Sequence, residues 1–332
     1  MNLVTGATGH IGNVLVRHLL AKGKPVRAML MPGEDPAPLE GLAVERVEAD
    51  VLDFQSLLKS FQDVDVAYHL AGIITILPGR DPQVQAVNVT GTRNVIEAAR
   101  LSGVRRLVYT SSIHALSRIP HGTTIDENIP FDPEHAISAY DHSKAQASLE
   151  VLKAVAEGMD AVIVCPTGVI GPHDYRGSEL GQLILDCVNH KPMFYVDGAY
   201  DFVDVRDVAQ GLHLVSEKGR TGESYILSGE RLSVLGMLKT VQEVIGSRLV
   251  TLKIPMQLAR FSAHFTPLYY RLSRTKPRFT SYSLETITSN SVISHAKAHQ
   301  ELGYTPRPLS ETLADTVRWF LQRRMKQAGQ IG

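Results

Sequence analysis

Leu3-Val4-Thr5-Gly6-Ala7-Thr8-Gly9-His10-Ile11-Gly12 carries a short apolar strand straight into three glycines spaced G-x-x-G-x-x-G, with a helical stretch immediately after. In a parallel α/β domain this builds a pyrophosphate site. Gly6 permits the tight strand-to-helix turn, Gly9 lets a phosphate approach the backbone, and Gly12 lets the helix pack close to the sheet. The first helical N–H groups and the positive end of the helix dipole then face the anion. Any tight βα turn can also use glycine, so the rest of the chain has to decide.

Beyond the glycine turn, strand and helix alternate. The pattern predicts strands over 25–30, 44–48, 64–68, 106–110 and 161–165, and helices over 14–20, 54–61, 81–101 and 137–157. Alternating units of this kind give an α/β fold, a doubly wound parallel (Rossmann) sheet, with the ligand crevice at the carboxyl ends of the strands. After Pro172 the pattern is less regular. Asp207, Ser233, Ser294 and Ser310 are read as caps of successive helices. Residues 1–172 are expected to form the dinucleotide-binding domain, with 201–228 returning to it. A smaller C-terminal substrate lobe takes 173–200 and 229–332.

Lys plus Arg and Asp plus Glu each total 34 of 332 residues, so the formal charge is zero. A nucleic-acid protein normally carries a basic face, so nucleic acid is not expected as a partner. No run of 18 apolar residues occurs, and no membrane span is expected. With the first strand at the start of the sequence, no signal peptide is expected. Cys165 and Cys187 have neither metal nor redox spacing, and Cys165 closes an apolar strand as a buried thiol. A cytoplasmic location is therefore expected. His295 and His299 stand i, i+4 without an acidic or cysteine partner nearby, so no metal is expected.

Three further elements carry chemistry. Tyr140 and Lys144 fall on one helix face. An ammonium beside a phenol favours the phenolate, and such a tyrosine can pass a proton to or from a carbonyl oxygen. Ser112 follows the strand ending at Thr110, and its hydroxyl can orient a substrate oxygen toward Tyr140 or simply end a turn. Asp50, followed by Val51, lies just past the third strand and can accept from an adenine amino group or cap a turn.

With these motifs the chain resembles the extended short-chain dehydrogenase/reductases, the NAD-dependent epimerase/dehydratase family. Thr5 to Gly12, Asp50-Val51, His69-Leu70-Ala71-Gly72, Asn88-Val89-Thr90-Gly91-Thr92, Ser111-Ser112, Tyr140-x-x-x-Lys144, the 166–172 stretch and the 202–209 stretch appear in the family's order. The resemblance implies Tyr140 as acid/base, Lys144 lowering its pKa and holding the nicotinamide ribose, Ser112 aligning the reacting oxygen, and Asn88 supporting the site. It implies NAD or NADP held by Gly6, Thr8, Gly9, His10, Ile11, Gly12, Asp50, Val51, Leu70, Ala71, Gly72, Thr110, Tyr140, Lys144, Pro166, Thr167, Gly168 and Val169. It also implies a homodimer through the helices over 81–101 and 137–157, where the small residues Ala145, Ala147, Ser148 and Ala154 permit close packing. The C-terminal Glu301 to Leu309 and Asp315 to Phe320 are similar to dihydroflavonol-reductase-like proteins, 3β-hydroxysteroid dehydrogenases and hopanoid-associated sugar epimerases.

The end of the second strand reads Met29-Leu30-Met31, with neither the acid that selects NAD nor the arginine that selects NADP. Arg27 lies on that strand. Val-Tyr-Gly does not follow Ser112, and no Asp-Glu pair stands beside it, as sugar-nucleotide enzymes of the family often have. Phe261, Phe265, Tyr269 and Tyr270 read as core or as a lid over an apolar small-molecule substrate. The expected function is therefore an NAD(P)-dependent oxidoreductase interconverting a secondary alcohol and a carbonyl. The rival readings are an epimerase that oxidises its substrate transiently and a non-catalytic nucleotide sensor.

Overall fold

Period-two alternation along each strand divides the core into two layers. Leu3, Leu107, Tyr109 and Ile163 face one layer, while Val4, Val108, Val162 and Val164 face the other. A strand buried on both faces belongs inside a parallel sheet covered by helices. The computed structural model describes residues 1–76, 79–263, 266, 280–288 and 292–329.

Strands β1 (Asn2–Thr5), β2 (Val26–Leu30), β3 (Glu45–Glu48), β4 (Val66–His69), β5 (Arg106–Thr110) and β6 (Ala161–Pro166) follow the predicted order within one or two residues. β7 (Gly168–Ile170) leaves the main sheet to pair with β9 (Ala199–Asp204), which also pairs with β11 (Glu230–Ser233). β8 (Met193–Tyr195) pairs with β12 (Thr251–Lys253), and β10 (Ser224–Leu227) returns to the main sheet beside β6. The seven-stranded sheet has the order β3-β2-β1-β4-β5-β6-β10, and all its pairings are parallel. Its order reverses at β1, where Thr5 stands opposite Met29 on one side and His69 on the other. The glycine turn therefore opens at the switch point, where such sheets bind ligands.

Helix α1 (His10–Ala21) follows the glycine turn, and α2 (Phe54–Ser60) is capped by Asp53. The helix predicted over 81–101 is broken by a π-turn. It comprises α3 (Pro82–Gln85), wide turns over Ala86–Thr90, and α4 (Gly91–Leu101). Such π-turns often mark functional positions, and Asn88 lies within this one. Helix α5 (Ala139–Ala156) starts at the Ser138 cap, whose Oγ accepts from the Asp141 N–H at 3.0 Å. Ala145, Ala147, Ser148 and Ala154 are buried within the chain. These small residues bring α5 onto its own sheet and α4, so they do not carry an intermolecular contact.

Helix α6 (Glu179–Val188) is capped by Ser178. Two predicted caps move. Helix α7 (Val205–Lys218) begins three residues early because Asp204 accepts the Arg206 N–H at 2.7 Å. Asp207 instead accepts the Arg307 N–H and both Nε and Nη2, at 2.8–3.0 Å. Ser310 falls inside the last helix, Leu309–Gly329, whose first N–H donates to Glu230 at 3.1 Å. Ser294 accepts from the Ala296 N–H just ahead of the helix Ala296–Leu302, which His295 precedes. Ser233 caps its helix as predicted. Of the aromatic stretch, Phe261 is described and exposed, while Phe265, Tyr269 and Tyr270 lie outside the described residues.

Candidate active site

Thr5, the last residue of β1, ties the two strands of the switch point together. Its hydroxyl oxygen accepts the N–H groups of Leu70 and Ala71, each at 3.1 Å, and lies 2.8 Å from His69 Nδ1. The other ring nitrogen of His69 lies 3.0 Å from the Thr92 hydroxyl. His69 is fully buried, and burial with the nearby Lys144 charge pushes its pKa down to about 3. The imidazole is thus neutral and acts as a structural bracket, a role its place in the sequence motif did not reveal. Below pH 6.5 the unfolded chain takes up a proton that folded His69 refuses. Stability should then fall by about 1.4 kcal/mol per pH unit from this group between pH 6.5 and about 3. His69→Asn should make the urea-derived stability curve shallower by one proton over that interval.

At Gly6 and Gly12 the glycine turn has a geometry that tolerates no Cβ. Gly6 has φ +64°, and a Cβ there would lie 2.8 Å from the Ala71 nitrogen. A Cβ on Gly12 would lie 2.1 Å from the Gly6 carbonyl oxygen, and one on Gly9 would lie 3.1 Å from the same atom. The first turn of α1 carries no acidic residue, leaving its N–H groups to face an anion. His10 Nε2 is 3.0 Å from the Pro172 carbonyl oxygen, and Asn13 Nδ2 donates to the His173 carbonyl. These bonds tie the loop to the segment after β7.

Across the carboxyl edge, Lys144 is buried and donates from Nζ to the Thr110 carbonyl at 2.6 Å. Burial holds its ammonium down to about 8. Asn88 exchanges two hydrogen bonds with the Ile73 backbone, at 2.8 and 2.9 Å, and donates to the Ser143 hydroxyl, which donates to the Tyr140 carbonyl. The wide π-turn turns the Asn88 amide inward to make this bridge between α5 and the 71–76 loop. A Cβ on Gly72 would stand 3.0 Å from Asn88 Oδ1 and 3.7 Å from Lys144 Nζ, so the glycine leaves this floor uncovered.

Ser112 stands two residues past β5 and Tyr140 in the first turn of α5, both at the carboxyl edge of the sheet. Burial pushes the Tyr140 phenol up to about 12, against a smaller lowering by the Ser112 side chain. The expected lowering by Lys144 is not realised in this state, because burial dominates and the ammonium is committed to Thr110. Tyr140 therefore stands protonated at neutral pH. Ile113 and Asp141, the residues after Ser112 and Tyr140, line a cavity of about 190 Å³ together with Leu116, Ile125, Arg118 and His121. His114 stacks on Tyr200, with its Nε2 3.0 Å from the Tyr200 hydroxyl. Tyr282 donates to the buried Asp141 at 2.7 Å. These long-range partners had no sequence signal.

Other predicted residues have structural duties. Asp50 Oδ1 accepts the Leu52 N–H at 2.9 Å, closing a turn. Val51 is buried where Gly91 of α4 passes, since a Cβ on Gly91 would lie 2.7 Å from its Cγ2. The Thr167 hydroxyl donates to Asp201 at 2.6 Å, and Gly168 gives way to Phe202. Pro166 and Val169 flank them on β6 and β7, and Leu70 packs on the core. Arg27 points away from the site, bonded to Glu45 and to the carbonyls of Ser60 and Gln62. His295 pairs with Ser228, and His299 with the Tyr304 carbonyl.

The residues fit a dinucleotide. The Thr110 hydroxyl, beside Lys144, is buried without a partner among the described residues, and the glycine cradle would be filled by any Cβ.

The model of the NAD dependent epimerase/dehydratase family matches residues 2–228. The chain is similar to sterol demethylase protein B of Methylococcus capsulatus, with 37% identity covering 97% of this chain and 99% of that protein. It is also similar to a 4-hydroxy-2-methyl-3-oxo-4-farnesyl-3,4-dihydroquinoline-1-oxide ketoreductase of Stigmatella aurantiaca, with 29% identity over 99% of this chain and 96% of that protein. Among solved structures, that of gox2253 superposes with a TM-score of 0.84 at 33% identity, covering 97% of this chain and 98% of that one.

Proposed function

The chain belongs to the NAD-dependent epimerase/dehydratase family, and from that premise we propose that it interconverts a secondary alcohol and a carbonyl, with Tyr140 as the acid/base. The observation that carries this reading is the protonated Tyr140 at the start of α5, on the same carboxyl edge as Ser112, with the next residue of each, Asp141 and Ile113, lining a cavity. Bound NAD(P) supplies or accepts the hydride. Tyr140 gives its proton to the substrate oxygen in reduction and takes it back in oxidation, while Ser112 holds that oxygen by a second hydrogen bond. Ile113, Leu116 and Ile125 suit a substrate with an apolar body, in keeping with the sterol and farnesyl-quinoline names of the two relatives.

Lys144 keeps its ammonium between Thr110 and the uncovered floor at Gly72, and in this reading it holds the nicotinamide ribose. Its charge is lost as pH rises through about 8. Affinity for NADH should therefore be flat between pH 6 and 7 and weaken several-fold between pH 7.5 and 9, measured by fluorescence titration. Lys144→Met should bind weakly and lose that pH dependence. Pairing of two copies through the outer faces of α4 and α5, where Leu101 and Leu149 are exposed, belongs to the same reading.

The test is nicotinamide absorbance with NADH or NADPH and a panel of steroid, flavanone and simple ketones and aldehydes. Steady consumption supports the oxidoreductase. Cofactor binding without net consumption by any ketone would overturn it in favour of transient oxidation in an epimerase.

A further inference from the structure

The second strand ends in Met29-Leu30-Met31, without a residue to read the adenosine ribose, yet the structure brings one there. Four residues past β2, Glu34 folds back, and its Oε2 accepts the Met31 N–H at 3.1 Å. Its Oε1 forms an ion pair with Arg176, which arrives from the loop after β7. Arg176 Nη2 also donates to the hydroxyl of Thr8, inside the glycine turn, at 2.5 Å. The Glu34 side chain is only 15% exposed, and that of Arg176 53%. The pair thus spans from the glycine turn to the carboxyl end of β2, the stretch over which a dinucleotide-binding fold reads the adenosine ribose.

We propose that Glu34 and Arg176 set the choice between NAD and NADP, with Glu34 selecting NAD. This rests on the dinucleotide site proposed for the glycine turn. The Glu34 carboxylate, fixed by the Met31 amide, accepts from ribose hydroxyls and repels a phosphate on the same sugar. It also neutralises Arg176, the cation that would otherwise pair with that phosphate. Removing the carboxylate charge leaves Arg176 without its anion beside the sugar.

The test is the ratio of dissociation constants for NADH and NADPH, measured by fluorescence titration on the unmodified chain, Glu34→Gln, Arg176→Gln and the double variant. Both ligands are measured on the same protein, so loss of folding cannot move the ratio. The unmodified chain should favour NADH by about tenfold or more. Glu34→Gln should move the ratio at least about tenfold toward NADPH, and adding Arg176→Gln should cancel most of that gain. Preference of the unmodified chain for NADPH would overturn the proposal. So would a ratio unmoved by Glu34→Gln while both dinucleotides bind. Binding of neither dinucleotide to the unmodified chain would instead overturn the reading of the site and this inference with it.

Discussion

Tyr140→Phe should lower turnover by about 10²- to 10⁴-fold, the usual contribution of a positioned general acid or base, while leaving NADH affinity within about twofold. The substitution removes one oxygen. That oxygen is the proposed proton carrier; the ring stays, so the packing of α5 survives. Ser112→Ala should cost less, because it removes orientation and leaves the proton donor in place. Retained turnover in Tyr140→Phe, with intact folding by circular dichroism, would remove Tyr140 from the chemistry.

The second large effect is expected at the glycine turn. Gly12→Ala places a Cβ 2.1 Å from the Gly6 carbonyl oxygen, so the turn and α1 must part. Cofactor affinity should fall at least about 100-fold, or about 2.8 kcal/mol, and overpacking should cost a further ~1–3 kcal/mol of stability. Gly9→Ala is the sharper probe. Its Cβ would meet Gly6 oxygen at 3.1 Å, a contact that small shifts relieve. That variant should fold with nearly unchanged Tm and still bind dinucleotide at least about tenfold more weakly, because the methyl lies where the phosphates approach. Undiminished binding in Gly9→Ala would mean that the cradle does not hold the pyrophosphate.

The parts of this protein legible in its sequence are those set by local chemistry. Three glycines at fixed spacing dictate the turn after β1, and period-two burial in Leu107-Val108-Tyr109 dictates a strand covered on both faces. Tyr140 and Lys144 share a helix face because they are four apart. The features hidden from the sequence depend on partners far along the chain. Asp207 reads as the cap of α7 until Arg307, a hundred residues on, takes it, and Asp204 caps the helix instead. Glu34 looks like one more loop acid until Arg176 reaches it. His69 sits in a recognised motif, yet its role comes from Thr5 and Thr92 on either side. The raised pKa of Tyr140 is hidden for a related reason. Spacing places an ammonium nearby, but only the fold shows that burial outweighs it and that Thr110 holds the lysine.

The central claim is that hydride and proton pass directly between nicotinamide, substrate and Tyr140. It is tested most directly with NADH dideuterated at the hydride-bearing carbon of nicotinamide and whichever ketone the panel selects, with mass spectrometry of the alcohol formed. The account predicts one deuterium on the carbinol carbon from the unmodified chain, and the same labelled product at under about 1% of that rate from Tyr140→Phe. Alcohol without deuterium, or equal rates from the two proteins, would contradict it.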